Sequence, residues 1–240
     1  MSQDKSILNE NCGFFNKIST PELAKISIYN ILVIFIPGLI IGVIIASIFG
    51  PIGYNIWDNY ISDLGSIRFT PAPFILDFIA MITAILSVPL FFYLKNLFLS
   101  KTIEKRINSK GIFEILAKNL THLGVLFFII GAIGLFGIGL FSEDRTTELG
   151  LHSIFSIVVF GGIGFGGLFT GLLILFKDTI FPRILCPFMI FGTPGAGVIF
   201  LIHPSQVSLP FLEWMMLFSI VVWLIPILII TLNQIKKSEK

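Results

Sequence analysis

Charged residues are scarce in this chain of 240 residues. Asp, Glu, Lys and Arg together make up 12%, whereas hydrophobic residues make up 55% and the mean hydropathy is +0.95. Soluble globular domains carry about 25% charged residues, so this composition excludes a soluble domain and predicts a lipid bilayer as the surrounding medium. The net charge is only +2, and no nucleic-acid partner is expected.

Cysteine and histidine are also rare. The two cysteines, Cys12 and Cys186, exclude a disulfide-rich scaffold, and both are predicted to be free thiols. Among the three histidines there is no HExxH or HxxxH spacing, and no CxxC occurs. The sequence therefore has no spacing signature of a metal site.

Long hydrophobic runs are what the sequence does contain. About 20 consecutive apolar residues cross the hydrocarbon layer as a helix, because lipid offers no partners to unpaired backbone groups. Six runs have this length, and they predict an all-α membrane protein with six transmembrane helices in three hairpins. They are Ile26–Phe49, Pro73–Phe98, Leu123–Phe141, Leu151–Phe176, Ile184–Ile202 and Phe211–Leu232.

The distribution of basic residues predicts the orientation. Of the 16 Lys and Arg residues, only Arg68 and Arg145 fall in the loops on the side opposite the N-terminus. Basic residues concentrate in cytoplasmic loops, so we expect a multi-pass protein of the cell membrane with both termini cytoplasmic. The predicted organisation is an N-terminal tail over residues 1–25, a transmembrane domain over 26–234 and a C-terminal tail over 235–240. No cleavable leader is expected.

Local signals predict helix starts, kinks and close contacts. Thr20 and Pro21 are an N-cap and a first helical residue, and Pro37, Pro89 and Pro194 should kink their helices. Glycines at three- and four-residue spacing predict close packing of the third, fourth and fifth helices: Gly131, Gly134, Gly137, Gly162, Gly166, Gly167, Gly171, Gly192, Gly195 and Gly197. Residues 100–119 suit either a helix lying on the inner leaflet or a solvated connector.

Polar residues concentrate on the outer side. Asp77 and Glu213 are acids inside predicted spans, and both lie near the outer ends. An ionisable group in a span is a functional candidate, and Asp77 is alternatively a structural acid paired with Arg68 or Arg145. The candidate ligand-binding residues gather around an outward-facing cleft: Asn59, Ser62, Asp63, Asp77, Asp144, His152 and His203. Gly65 is expected to adopt a left-handed conformation in a capping or re-entrant turn.

A zinc site is the sharper alternative for this cleft. Zinc accepts nitrogen and oxygen ligands, which His152 and His203 with Asp63 or Asp144 would supply, with a position left for water. These groups come from separate segments, and the outer acids are equally explained as solvated loop residues. The sequence does not identify catalytic residues.

Two motifs resemble those of a known family. Tyr54 followed by Asn59-Tyr60-Ile61-Ser62-Asp63-Leu64-Gly65 resembles the hallmark of the uncharacterised membrane family known as domain of unknown function 998. Phe141-Ser142-Glu143-Asp144 with downstream His152 is similar to that family's Phe-Pro-x-Asp and histidine, with Ser142 in place of proline. The resemblance covers residues 26 to about 176. It implies a prokaryotic multi-helix membrane protein and no particular activity.

Three functions remain open from the sequence. The first is a membrane protein whose outward-facing polar cleft binds a lipid or lipid-linked ligand. The second is a metal-dependent or acid/base-dependent lipid hydrolase. The third is a small-solute transporter, which needs a polar route through the inner half of the bundle. The inner halves of the spans contain no acid or base apart from Lys95 at the inner end of the second span and the interfacial His122.

Overall fold

The computed structural model describes residues 17–100 and 111–239, and within them it contains helices and no strands. Six helices are long and apolar enough to cross a membrane. They are α1 (Pro21–Phe49), α2 (Phe74–Leu99), α3 (Ile112–Leu140), α4 (Leu151–Phe176), α5 (Arg183–Ile202) and α6 (Leu209–Ser238). The six predicted spans are confirmed as helices, and the three-hairpin arrangement stays a prediction.

Three of the helices, α1, α3 and α6, extend several residues beyond the predicted hydrophobic runs. α1 begins at Pro21, where the Thr20 hydroxyl accepts a hydrogen bond from the Leu23 amide at 3.4 Å, which confirms the predicted N-cap. α3 begins at Ile112, eleven residues before the predicted start at Leu123. The second half of the predicted interfacial segment is thus the first part of α3, and residues 101–110 lie outside the described residues. Cys186 is buried and free, while Cys12 also lies outside the described residues.

Proline changes the local helix type in α1 and α5. A π-helical segment, Asn30–Phe35, precedes Pro37, and another, Phe188–Gly192, precedes Pro194. Proline has no amide hydrogen to continue the α-helical pattern, and a π-bulge inserts one residue to accommodate the break. Pro89 in α2 and Pro226 in α6 lie inside α-helix, and no π-helical segment precedes them.

Glycines bring α3 and α4 into backbone contact. A Cβ atom at Gly134 would lie 2.4 Å from the Val159 nitrogen, and one at Gly162 would lie 2.3 Å from the Gly131 nitrogen. This confirms the packing prediction for these two helices. On α5 the prediction is wrong for Gly195 and Gly197, because a Cβ at either would meet nothing within 4 Å.

The bundle has two ends with different composition. We call one end the tail face: there the start of α1 meets the end of α6 through an ion pair between Lys25 and Glu239. Lys177 at the end of α4 also donates a hydrogen bond to the Phe98 carbonyl at 2.6 Å. We call the other end the cap face. It consists of the connecting segments 50–73, 141–150 and 203–208.

Candidate functional site

The segment 50–73 forms a cap over one end of the bundle. It contains a short 3-10 turn, Ile61–Gly65, in which Asp63 accepts a hydrogen bond from the Tyr60 amide at 2.9 Å. The expected left-handed conformation of Gly65 is wrong, since positive φ occurs only at other residues of the described chain. Gly65 instead permits close approach: a Cβ there would lie 3.1 Å from Asp77 Oδ1 and 3.4 Å from Ser142 Cβ.

Asn59 forms hydrogen bonds within the cap and to α6. Its side chain accepts from the Asn55 amide at 3.1 Å and donates to Asp63 Oδ2 at 3.4 Å. Its carbonyl accepts from the indole of Trp214 at 3.1 Å. The Tyr54 hydroxyl donates to the Tyr60 carbonyl at 2.7 Å. Asn59 and Asp63 are thus buried members of a structural network.

Asp144 joins the α3–α4 turn to the cap. One carboxylate oxygen accepts from the Ser66 hydroxyl at 2.7 Å, and the other accepts from the Ile67 amide at 2.6 Å. Both oxygens are therefore engaged. Asp144 thus fixes the α3–α4 turn to the segment 50–73.

Asp77, near the start of α2, is paired with Arg145. The guanidinium Nη2 lies 2.7 Å from Asp77 Oδ2 and also donates to the Gly139 carbonyl at 3.0 Å. Of the two partners that the sequence left open, the structure selects Arg145 over Arg68. The Asp77 side chain is 5% exposed and that of Arg145 is 54% exposed, so a buried acid is neutralised by a partly solvated base.

His152 is buried at the first turn of α4. Its Nδ1 lies 2.8 Å from the Phe141 carbonyl, and because a carbonyl only accepts, Nδ1 carries the proton. Nε2 is buried without a hydrogen-bond partner, and Glu143 Oε2 lies 3.5 Å from it. His152 therefore holds the end of α3 against the start of α4.

The proposed zinc ligands do not form a group. His203 ends α5 in a left-handed conformation with φ of 48° and is exposed. Within residues 17–100 and 111–239, no three His, Cys, Asp or Glu side chains are placed to hold one metal ion. His152 and Asp63 belong to the hydrogen-bonded cap, and in the described part of the chain the His203 side chain forms no hydrogen bond or ion pair with it. The arrangement does not fit a zinc centre built from these three residues.

A cavity lies beneath the cap, inside the bundle. Its volume is about 170 Å³, and its lining comes from α1, α2, α3, α4, α6 and the turn Ile61–Gly65. At the cap end it is lined by Ile61, Ser62 and Glu213, and at the far end by Phe98 and Leu228. Most of the lining is aliphatic or aromatic. Between the two ends its polar side chains are the hydroxyls of Thr83, Ser87, Ser156 and Thr170.

The cavity is long relative to its volume. Glu213 and Leu228 are fifteen residues apart on α6, which corresponds to about 22 Å along a helix. The volume is close to that of a site for one benzene molecule. Because this small volume extends over such a length, the cavity is a narrow channel. Its shape fits a slender chain better than a compact ring system.

Glu213 links the cavity to the cap. It is 7% exposed, and its Oε2 accepts a hydrogen bond from the Ile61 amide at 2.7 Å. The sequence identified Glu213 as an acid inside a span but did not place it among the ligand-binding candidates. Of those candidates, Ser62 lines the same cavity. The signal that could have found Glu213 was its ionisable side chain in a span.

Burial makes the cap a poor environment for negative charge. It raises the pKa of the Asp63 carboxyl, against the hydrogen bonds from Tyr60 and Asn59 that favour the ionised form. Burial also raises the pKa of Tyr54 and of Tyr60, and the nearby carboxylates of Asp63 and Glu213 add to both shifts. Each of these groups therefore loses its proton at a higher pH than it would in water.

Comparison with known proteins adds no identification. No family model, no curated protein and no solved structure matches this chain. The fold and the cap define a six-helix bundle with the features of a membrane protein. The resemblance to domain of unknown function 998 stays a prediction that rests on the two motifs alone.

Proposed function

We propose that this chain is a multi-pass protein of the cell membrane, built of three helical hairpins with both termini cytoplasmic and the cap face outside. The support is the charge at the two faces: in the described residues the cap face, together with Asp77 and Glu213 at the adjoining helix ends, carries seven acids and two bases, whereas the tail face carries eight bases and four acids. Cations on the cytoplasmic side agree with the positive-inside rule. Membership of the family known as domain of unknown function 998 is part of this proposal.

Labelling of single cysteines tests the orientation. In a background with Cys12 and Cys186 replaced by Ser, Asp58→Cys places a thiol on the cap face and Asp178→Cys places one on the tail face. In intact cells a membrane-impermeant maleimide should label residue 58, and it should label residue 178 only after the membrane is permeabilised. The opposite pattern would overturn the orientation.

We further propose that the protein binds the hydrocarbon chain of a lipid or lipid-linked molecule in the internal cavity. The observation that carries this function is the lining: aliphatic and aromatic side chains run from Ile61 beneath the cap to Phe98 near the tail face. Burial of a chain there replaces contacts with lipid by contacts with a preformed apolar surface. The outward-facing cleft expected from the sequence is thus replaced in this proposal by a site beneath the cap.

The two alternative functions have less support in the described residues. A metal-dependent hydrolase needs converging ligands, and the described side chains provide no group of three. A transporter of polar solutes needs polar groups along its route, whereas the cavity offers only hydroxyls between its ends. The described residues therefore support chain binding better than they support metal-dependent hydrolysis or the passage of a polar solute.

Quenching of Trp223 fluorescence tests chain binding, because this buried indole lines the cavity. In a Trp57→Phe/Trp214→Phe background, Trp223 is the one remaining of three tryptophans. Fatty alcohol brominated at mid-chain should quench it saturably, since bromine must come into contact with the ring. Ala84→Leu, which fills the cavity lining, should reduce the quenching.

A control separates the cavity from the outer surface of the bundle. Gly197→Leu adds a side chain where nothing lies within 4 Å, and it should leave quenching unchanged. Equal quenching in the Ala84→Leu and Gly197→Leu proteins would contradict binding in the cavity.

A further inference from the structure

The two ends of the cavity differ in polarity. Glu213 and Ser62 lie at the cap end, whereas Phe98, Leu94 and Leu228 line the far end. A bound chain with one polar end therefore has a preferred direction. Its head group meets the cap, and its methyl end points toward the tail face.

Two polar groups at the cap end are available to a ligand. Glu213 uses Oε2 for the Ile61 amide, and its Oε1 has no hydrogen bond within residues 17–100 and 111–239. The Ser62 hydroxyl likewise makes no hydrogen bond to any described residue, although it lines the cavity. A carboxylate oxygen only accepts hydrogen bonds when ionised, so the head that completes this end is one that donates them.

The charges around the cap end disfavour a negative head group. Asp63 and Glu143 lie near enough to Glu213 to interact electrostatically with it, and both carry the same sign. The two bases of the cap face do not line the cavity: Arg145 is paired with Asp77, and the Arg68 guanidinium lies 5.4 Å from the centre of the Phe69 ring. A carboxylate or phosphate placed there would face like charges, and no Lys or Arg of the described residues lines the cavity to bind it.

We propose that the cap end of the cavity is a head-group site for single-chain amphiphiles whose head donates hydrogen bonds and carries no negative charge, as in a long-chain amine or alcohol. Glu213 is the recognition residue, and Ser62 supplies a second polar contact. This inference rests on the proposed chain-binding function. It adds a class of ligand that the apolar lining alone does not select.

Three matched amphiphiles test the preference: an amine, an alcohol and a carboxylic acid with the same chain brominated at the same position. Saturable quenching of Trp223 in the Trp57→Phe/Trp214→Phe protein gives an apparent Kd for each. The amine should bind at least about tenfold more tightly than the acid, because hydrogen bonds to charged groups are the stronger ones. The alcohol should fall between them.

Variants assign the preference to Glu213. Glu213→Gln keeps an acceptor for the Ile61 amide but removes the charge, so the amine and the acid should then bind within about threefold of each other. Glu148→Gln, a change at an exposed acid outside the cavity lining, should keep the full preference. The alcohol should bind both variants with nearly wild-type affinity, which shows that the cavity is intact.

The outcomes separate the two proposals. Saturable binding of all three amphiphiles with equal affinity would overturn the head-group site and leave chain binding standing. A preference that survives in Glu213→Gln would overturn the role of Glu213. No saturable quenching by any of the three would overturn both the chain-binding function and the head-group site.

Discussion

The cap face and the tail face both carry charge at the ends of the same helices, but they use it differently. On the tail face, Arg183 and Asp178 form an ion pair whose side chains are 61% and 52% exposed. On the cap face, Asp77, Asp63 and Glu213 are buried and each accepts from a specific donor. The tail-face ion pair is largely solvated, whereas carboxylates on the cap face accept hydrogen bonds that hold the backbone of the segment 50–73 in place.

The difference follows from the backbone of the segment 50–73. Outside a helix, buried amide groups need acceptors from elsewhere. The partly buried amides of Tyr60 and Ile61 donate to Asp63 and Glu213, and the exposed amide of Ile67 donates to Asp144. Hydrogen bonds to carboxylates are stronger than those to neutral acceptors, so three acids can hold a segment that has little regular structure.

The largest expected effect comes from Arg145. Arg145→Met leaves the buried Asp77 carboxylate without its partner, and we expect a loss of about 2 kcal/mol in the free energy of unfolding. This lies below the range for fully buried pairs because Arg145 is half exposed. Arg183→Met on the tail face should change the same quantity by less than about 0.5 kcal/mol. Denaturant titration in detergent micelles measures both.

A double-mutant cycle sharpens the assignment to Asp77. The Asp77→Asn/Arg145→Met protein should be more stable than the sum of the two single changes predicts, since neither charge is then left alone. Equal losses for Arg145→Met and Arg183→Met would remove the distinction between the two faces.

A smaller effect is expected at Asp144. Asp144→Ala removes the acceptors of the Ser66 hydroxyl and the Ile67 amide, and we expect a loss of about 1 kcal/mol. The loss is moderate because Asp144 is exposed and water can replace it. Hydrogen exchange at the Ile67 amide should become faster. Asp178→Ala on the tail face should leave both the stability and this exchange rate unchanged, and a matching loss there would contradict the comparison.

The smallest effect is a pH dependence from Asp63. Burial raises its pKa in the folded protein above the usual value near 3.8, so the folded state binds this proton more tightly than the unfolded state. The stability that this proton contributes is present below pH 3.8 and is lost as the pH rises through the folded-state pKa. Asp63→Asn should remove this decline, which parallel denaturant titrations at several pH values would measure.

The matched control for this pH dependence is Glu114→Gln at an exposed position on the tail face. It should leave the pH profile of the unfolding free energy unchanged. If Asp63→Asn and the wild-type protein lose stability in parallel as the pH rises, the environment of Asp63 does not act as described.

Much of the fold could be predicted because its signals are local. Hydrophobic length located all six helices, and Thr20 marked the start of α1. The predicted start of α3 was late because the residues that precede the apolar run, Ile112–Leu120, are also helical. Most of their apolar side chains are exposed. The glycines of α5 were misread because spacing shows which face is small, but not whether another helix lies against it.

The candidate site was predicted only in part. The order of the helices predicted that Asn59, Asp63, Asp77 and Asp144 lie at the same end of the bundle, and the structure brings these residues together at the cap. His203 was included because it shares that side, yet it is exposed and apart from the network. Glu213 was passed over because its partner, Ile61, lies 152 residues away in the chain, and no local pattern reports such a pairing.

The sequence by itself determined that this chain forms six apolar helices and that nearly all of its cations lie toward the same end of them. Both results depend on how each segment alone interacts with water and lipid. Only the tertiary structure decided which carboxylate receives which amide, that Arg145 rather than Arg68 neutralises Asp77, and that a narrow apolar cavity runs beneath the cap. Those outcomes depend on the packing of segments distant in the chain, because a hydrogen bond or a cavity exists only where several of them meet.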